Sequence, residues 1–448
     1  MAEAPATSDA VQRAQSRAPG VTHAQRYEPR KAWAITIWLT ALAAINFLDK
    51  VVLGMVAVPI MRELHLSPTQ FGVIAGSFFW LFSLSAAVVG FVGNRVPARW
   101  LLLGMAAFWS VIQFPVSLAS GATSLVVLRV LLGIGEAPGY PVSVHALYKW
   151  FPHEKRNLPV SIINQGAVIG LLLAGLGVPF ITRDWGWRAN FVVLAVASAL
   201  WGIGWLCFGR EGTLTTQLPH HAHTNANANA PVRIPYLRLL RDPTIWTGFL
   251  AGFAAYWGIA LLMTWLPSYL ERGLGYDAIG AGRMFSFVVA IGMPINVGLC
   301  GWSQRMLRRG ASSRAARAVF AAACVGIGGM LFIALPALPL TPLEKVALIA
   351  VAVSLPQTAF TLGPAIVGEI VPDAQRSAVV AMTVAVATSA GMIAPVVMGR
   401  LLQAHAHIGP QGFEQGFAIC GGVMIVGALA VLIGQHPARA LKRLYGQT

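Results

Sequence analysis

Long apolar runs alternate with short polar segments along almost the whole chain. Twelve of these runs are about 20 residues or longer, the length that an α-helix needs to cross a bilayer. They lie at residues 35–56, 70–93, 98–118, 123–146, 157–182, 189–208, 245–270, 279–302, 315–337, 343–368, 377–402 and 415–435. The two-residue alternation of a membrane β-barrel is absent from them. The pattern therefore predicts an all-α membrane protein with twelve transmembrane helices.

One long polar interruption, residues 210–242, divides the runs into two sets of six. It contains the His- and Asn-rich stretch 220–229, whose composition favours a solvated tether over a metal site. We expect five parts in the chain. They are a disordered basic N-terminal arm (1–32), an N-terminal six-helix half (33–209), a cytoplasmic linker (210–242), a C-terminal six-helix half (243–437) and a cytoplasmic tail (438–448).

The two halves carry similar polar segments at equivalent positions. Pro152–Arg156 precedes the fifth run, and Pro372–Arg376 precedes the eleventh. Asn94 and Arg95 follow the second run, as Gln304 and Arg305 follow the eighth. Repeated halves of this kind are typical of secondary transporters, in which two bundles rock around a site near the midplane.

Charge and composition set the orientation and exclude several classes of protein. The chain is 56% apolar and 11% charged, with a net charge of +16. With a cytoplasmic N-terminus, 23 Lys and Arg lie on cytoplasmic segments and seven on the other side. This positive-inside bias explains the charge without nucleic acid, and it predicts a bacterial-type inner membrane with both termini cytoplasmic. No phosphate-loop, zinc-protease or nucleophile-elbow motif is present, so we expect no enzyme, cofactor or metal.

Four ionisable residues interrupt the first and fourth apolar runs: Asp49, Lys50, Arg129 and Glu136. A charge at bilayer depth is costly and marks a functional site by default. From helix rise, we expect three of them at one level and Glu136 about 10 Å deeper than Arg129. They predict a polar cavity that handles an anion and a proton. The alternative is an ion-pair network that only locks the two helices together.

These residues lie in segments that resemble the signatures of the anion:cation symporter family, within the major facilitator superfamily. The segment Ile45–Lys50 is similar to an N-Y-x-D-R motif, and Arg129–Pro141 is similar to R-x-x-L-G-x-x-E-A-P-x-x-P. Tyr148–Arg156, Trp265–Leu270 and Gly391–Pro395 give weaker support. The resemblance covers nearly all of residues 33–437 and implies a major facilitator fold.

The resemblance further implies proton-coupled import of an organic anion such as a sugar acid, a small carboxylate or an aromatic acid. It implies that Arg129 engages the substrate carboxylate and that Asp49 and Glu136 carry protons. The chemistry agrees, because arginine keeps its charge and can hold a carboxylate with two parallel hydrogen bonds. The implied partners are the anion, protons and lipid, and we expect a monomer.

The sequence departs from the family pattern at several positions. Lys50 replaces the usual Arg, while Phe47 and Phe82 replace Tyr and so lack a hydroxyl that could bind a polyol. A less hydroxylated anion than a hexonate is one interpretation, and ordinary helix packing is the other. In the loop motif, Asn94 and Gln304 replace an acid, which weakens the expected gate.

Other polar and gating candidates complete the predicted site. Further substrate-binding candidates are Asn164, Gln165, Tyr256, Gln357, Thr388 and Ser389, and gating candidates are Asn94, Arg95, Gln304, Arg305, Glu369 and Arg376. Glu369 is expected to pair with Arg376 or Arg95. Two other functions stay open: an exporter or exchanger of drugs or phosphorylated metabolites in the same fold, and a non-transporting membrane sensor.

Overall fold

The computed structural model describes residues 27–93, 95–212, 214, 234–405 and 410–446. In these ranges twelve helices are long and apolar enough to cross a membrane, which confirms the predicted number. Their bounds are α1 Pro29–Met55, α2 Pro68–Val92, α3 Ala98–Ser117, α4 Ala122–Tyr148, α5 Asn157–Trp185, α6 Trp187–Phe208, α7 Pro243–Thr264, α8 Ala278–Arg308, α9 Arg314–Ala334, α10 Pro342–Ile370, α11 Gln375–Ala404 and α12 Gln411–Gly434.

Helical structure extends into all three segments that were expected to be arm, linker or tail. Helix α1 begins at Pro29, so residues 29–32 are helical rather than part of a disordered arm. Proline favours this first position because its fixed φ suits a helix and its missing N–H would have no partner there. A short helix, Tyr236–Leu240, lies within the linker, and another, Pro437–Tyr445, forms the tail. Residues 1–26 lie outside the described ranges.

Helix α2 is broken in the middle, at residues 78–81. The amides of Phe79 and Trp80 donate to carbonyls three residues earlier, Gly76 and Ser77, at 3.0 and 3.1 Å. Such tight turns replace the regular α-helical bonds locally. At the α2 break, Phe78, Phe79 and Phe82 lie within ring-contact distance of one another.

The two halves repeat the same packing, as the sequence predicted. In the first half, Gly166 and Gly170 of α5 allow close contact with the backbone of α1. The equivalent pair in the second half is α7 with α11, where Gly252 packs on Ala387. Small residues of this kind let membrane helices approach closely. The contact pattern therefore gives two similar six-helix halves, α1–α6 and α7–α12.

The halves meet closely at the end of the bundle away from the termini, here called the far side. At Gly72 of α2, an added Cβ would lie 2.4 Å from the carbonyl oxygen of Pro395 in α11. At Gly175 of α5, it would lie 2.7 Å from the carbonyl oxygen of Gly282 in α8. The indole of Trp265 also donates to the Pro395 carbonyl, at 3.0 Å. The far side is thus closed by direct backbone packing.

Toward the other end, here called the terminus side, the same helix faces separate. The contact face of α2 continues to Ala87 and Gly90, which are exposed, and Gly90 has no atom within 4 Å of an added Cβ. On α11 the face continues to Ala381 and Val384, and Val384 is 50% exposed. The two halves therefore enclose a space that is closed on the far side and opens on the terminus side.

The far-side contact provides a test of this arrangement. We expect Gly175→Leu to prevent far-side closure, because its side chain would overlap the α8 backbone and Ser286. The protein should then spend less time open on the terminus side. A cysteine at Gly90, in a chain whose four native cysteines are replaced, should react more slowly with a maleimide. Gly177→Leu is the matched control, since nothing lies within 4 Å of its added Cβ. Equal labelling in both variants would contradict the interpretation.

Candidate functional site

The four predicted charges converge on facing sides of α1 and α4. The side chains of Asp49, Arg129 and Glu136 are only 3%, 3% and 1% exposed. Lys50 is partly exposed. Seven residues separate Arg129 from Glu136, so both lie on one face of α4 about 10 Å apart along the axis. The structure therefore brings all four charges together.

Asn46 connects Lys50 to Glu136, a role that the sequence interpretation missed. Its Nδ2 donates to Glu136 Oε2 at 2.9 Å, and its Oδ1 accepts from Lys50 Nζ at 2.5 Å. The residue lies one turn before Lys50, on the same helix face. The four-residue spacing between Asn46 and Lys50 could have indicated this contact. A neutral amide in a membrane helix costs much less free energy than a charge, however, so Asn46 does not stand out in the sequence.

Glu136 reaches α1 at Asn46, one turn closer to the start of α1 than Lys50. Its Oε2 atom accepts the Asn46 hydrogen bond, whereas its Oε1 atom and Asp49 Oδ1 are buried and have no hydrogen-bond partner among the described residues. A carboxyl oxygen that no protein donor occupies can itself carry a proton. Both carboxyl groups therefore have an oxygen free to take one.

Arg129 is the least satisfied member of the cluster. Its Nε and Nη1 atoms are buried and have no hydrogen-bond partner among the described residues. The guanidinium carbon lies 4.7 Å from the centre of the Phe78 ring, which stabilises the charge without occupying its N–H groups. Since a guanidinium has five N–H donors, Arg129 retains the capacity to bind an anion.

Lys50 lies against two aromatic rings. Its Nζ is 4.4 Å from the centre of the Phe47 ring and 5.5 Å from that of Phe82. Both phenylalanines replace a tyrosine of the family pattern, and both are partly exposed. The ring faces partly compensate the lysine charge and leave donors on Nζ beyond the one that Asn46 accepts.

Three candidates of the second half line or approach the same space. Tyr256 of α7 is partly exposed, and its ring centre is 5.8 Å from that of Phe79. The hydroxyl of Thr388 on α11 contacts Ser83 Oγ of α2 at 3.1 Å, which joins the two halves near mid-membrane. Ser389, in contrast, donates to a carbonyl of its own helix, that of Val386, at 2.6 Å.

The remaining substrate candidates are Asn164 and Gln165, toward the terminus side of α5, and Gln357, near the middle of α10. Asn164 lies eleven residues before Gly175, on the face of α5 that meets α8 farther along. It is exposed. Gln165 is exposed, and Gln357, in a tight turn of α10, is partly buried. Neither glutamine hydrogen-bonds any of the described residues.

The gating candidates do not form the lock that was expected. Glu369 pairs with Arg317 and accepts hydrogen bonds from Ser313 at 2.6 and 2.8 Å, not from Arg376 or Arg95. The start of α9 lies next to the end of α10, so Ser313 and Arg317 occupy the Glu369 carboxylate in place of Arg376 or Arg95.

The other gating residues are exposed or locally paired. Arg376 pairs instead with Asp373 at 2.5 Å and donates to the Gly368 carbonyl at 2.7 Å. Arg95, Gln304 and Arg305 are exposed on the terminus side. Asn94 lies outside the described residues.

Asn46 gives a direct test of the site geometry. We expect Asn46→Leu to lower the stability of the purified protein by about 1–3 kcal/mol, because it leaves Lys50 and Glu136 without their shared partner. The apparent melting temperature measures this. In a Lys50→Met background the loss should be smaller, since only one of the two partners remains. An equal loss in both backgrounds would show that Asn46 does not couple to Lys50.

Comparisons with known proteins agree with this architecture. Residues 39–356 match the family model of the Major Facilitator Superfamily. The chain is 25% identical over 402 residues to a hexuronate transporter of Bacillus subtilis, covering 89% of this chain and 93% of the relative. It is 26% identical over 406 residues to a probable sulfoacetate transporter of Cupriavidus necator, covering 87% and 90%.

Among solved structures, the chain resembles a bacterial homologue of the human lysosomal transporter Spinster, solved in an inward-facing and occupied conformation. The TM-score is 0.75 at 18% identity, covering 93% of this chain and 99% of that one. This likeness concerns the fold. The fold and family are those of multi-pass membrane transporters, not of enzymes, and the resemblance to anion transporters is confirmed. The chain belongs to the Major Facilitator Superfamily.

Proposed function

We propose that the protein imports a small organic anion together with protons by alternating access. The observation that carries the proposal is the buried Arg129 guanidinium, whose Nε and Nη1 atoms have no partner among the described residues. An unsatisfied buried donor is unfavourable, and a carboxylate would satisfy it through charge-assisted, paired hydrogen bonds. Relatives named as hexuronate and sulfoacetate transporters support an anionic substrate.

Charge balance supports the coupling to protons. When all four groups are ionised, Lys50 and Arg129 balance Asp49 and Glu136, and the cluster is neutral. One proton on the carboxyl pair leaves a net charge of +1, which is costly at this depth and which one monovalent anion neutralises. Anion and proton therefore favour each other's binding. When the proton dissociates, the resulting carboxylate competes with the bound anion for Lys50 and Arg129. This competition favours release of the anion.

The proposed direction follows from the orientation of the bundle. We propose, from the bias of basic residues, that both termini lie in the cytoplasm of a bacterial-type inner membrane. With that orientation, the terminus side is cytoplasmic, and the described conformation faces inward. The outward-facing state would load protons and anion, and the inward-facing state would release them. Arg95 and Arg305, exposed at the opening, are proposed to contact the opposite half only after the terminus side closes.

Substitution of Arg129 tests the anion site. We expect Arg129→Gln to weaken anion binding and uptake by about 100-fold or more, because it removes a charge and at least two hydrogen bonds. Uptake into proteoliposomes and thermal stabilisation by the anion measure the two effects. Arg62→Gln is the control, since Arg62 is exposed in the far-side helix Ala57–Glu63. Normal uptake by the Arg129 variant would rule out the proposal.

Substitution of Glu136 tests the proton step separately. Glu136→Gln keeps the shape of the side chain but cannot cycle a proton. We expect it to lose accumulation driven by a pH gradient and to retain exchange of internal for external anion. Both are measured in proteoliposomes with the gradient imposed or absent. Accumulation that persists in Glu136→Gln would remove this residue from the proton step.

A further inference from the structure

A series of aromatic rings, bridged at one point by Lys50, crosses from one half of the protein to the other beside the charged cluster. In order of contact its members, here called the aromatic row, are Phe47, Phe82, Phe79, Tyr256 and Phe360. The ring centres of Phe82 and Phe79 are 5.6 Å apart, those of Phe79 and Tyr256 are 5.8 Å apart, and those of Tyr256 and Phe360 are 6.1 Å apart. Phe47 joins the row through Lys50, which lies against both Phe47 and Phe82.

The row borders the interior space instead of filling a closed core. Phe47, Phe82, Tyr256 and Phe360 are all partly exposed, whereas Phe79 at the centre is 9% exposed. Exposure alone does not separate a ring that faces lipid from one that faces the interior, so the contacts decide. Phe79 of α2 meets Tyr256 of α7 and Phe82 meets Lys50, which places the row between the two halves and beside the charged cluster.

The row lies next to the two cations. Lys50 contacts Phe82 directly, and Phe82 is 5.5 Å, centre to centre, from Phe78, on which Arg129 lies. A ligand with its anionic group at Arg129 and Lys50 would thus have its remaining atoms against the aromatic row. The α2 break creates this arrangement by placing Phe78, Phe79 and Phe82 around one turn.

Most polar groups around this space already have partners. Asn46 uses its amide for Lys50 and Glu136. Thr388 and Ser389 both bond to carbonyls of their own helix, at 2.9 and 2.6 Å. Among the described candidates at this level, the Tyr256 hydroxyl and the Gln357 amide are the polar groups that have no hydrogen bond to the protein.

A polyhydroxylated anion would find too few free hydrogen-bonding groups in this space. A hexuronate or hexonate carries several hydroxyl groups, and each one that loses water without gaining a partner costs about 1–3 kcal/mol. A flat ring with a single carboxylate needs only the cations at one end and apolar or aromatic faces around the rest. Ring-to-ring contacts of this kind add favourable energy beyond the area that they bury.

We infer, on the basis of the proposed function, that the anion is an aromatic carboxylate whose ring stacks on the aromatic row. Its carboxylate binds Arg129 and Lys50. Tyr256 and Gln357 accommodate at most one or two polar substituents on the ring. The substrate class is thereby narrower than organic anions in general, and it differs from the sugar acid named for the Bacillus subtilis relative.

Thermal stabilisation of the full-length protein in detergent tests the inference. The probes are benzoate and phenylacetate as aromatic carboxylates, glucuronate and galactonate as sugar acids, sulfoacetate, and benzamide as a ring without the charge. We expect concentration-dependent stabilisation by benzoate or phenylacetate, and none by benzamide or the sugar acids. The stabilisation should disappear in Arg129→Gln.

Matched variants separate ring stacking from general packing. Phe82→Leu keeps a large apolar side chain but removes the ring, and we expect it to weaken aromatic carboxylate binding about threefold to tenfold. Phe332→Leu is the control: Phe332 stacks on Phe417 at 5.5 Å, between α9 and α12, outside the aromatic row. Phe82→Tyr, which restores the hydroxyl of the family pattern, should retain aromatic binding and improve binding of sugar acids.

The failure of this inference and the failure of the proposed function give different results. Arg129-dependent binding of a sugar acid or sulfoacetate, without binding of either aromatic acid, would overturn the inference and keep the anion transporter. Equal loss of aromatic binding in Phe82→Leu and Phe332→Leu would also overturn it. If none of the anions stabilises the protein, or if stabilisation survives Arg129→Gln, the proposed anion site itself is wrong.

Discussion

The structure depends on the cost of keeping four charges in a region that excludes water. Asp49, Lys50, Arg129 and Glu136 can lie there only if their charges sum to nearly zero and α1 and α4 stay adjacent. The Asn46 amide and two aromatic ring faces partner these groups within the cluster. Not every donor in the cluster is paired: Arg129 retains buried N–H groups that donate to none of the described residues. Stability and readiness for a ligand therefore come from the same arrangement.

The surrounding helices close the bundle on one side of this cluster and separate on the other. The internal repeat makes α1 pack on α5 as α7 packs on α11, so each half is a firm unit of its own. Contact between the units is concentrated on the far side, where α2 meets α11 and α5 meets α8. The Ser83–Thr388 contact marks the level at which the halves separate. The charged cluster belongs to the first half, and the aromatic row continues from it into the second half through the Phe79–Tyr256 contact.

Much of this was predictable from hydropathy and charge. Apolar length gives the twelve helices, and the cost of intramembrane charge identifies Arg129 and Glu136 without any structure. The features that the sequence did not predict depend on neutral groups and on the ends of helices. Asn46 was missed because an amide costs little in a helix, and the Glu369–Arg317 pair was missed because it depends on how the first turn of α9 meets α10. The break in α2 was also invisible, since residues 78–81 are as apolar as their neighbours.

The far-side closure has a consequence for how such a protein can diverge. Helix backbones contact each other there directly, at glycines such as Gly72 and Gly175. These glycines belong neither to the charged cluster nor to the aromatic row. Evolution can therefore exchange the side chains that select a solute while the closing surface is inherited unchanged. The two meet at Gly391, whose lack of a side chain makes room for the Phe79 ring. Elsewhere the closing surface and the proposed solute site share no residue, and the relatives are named for different solutes.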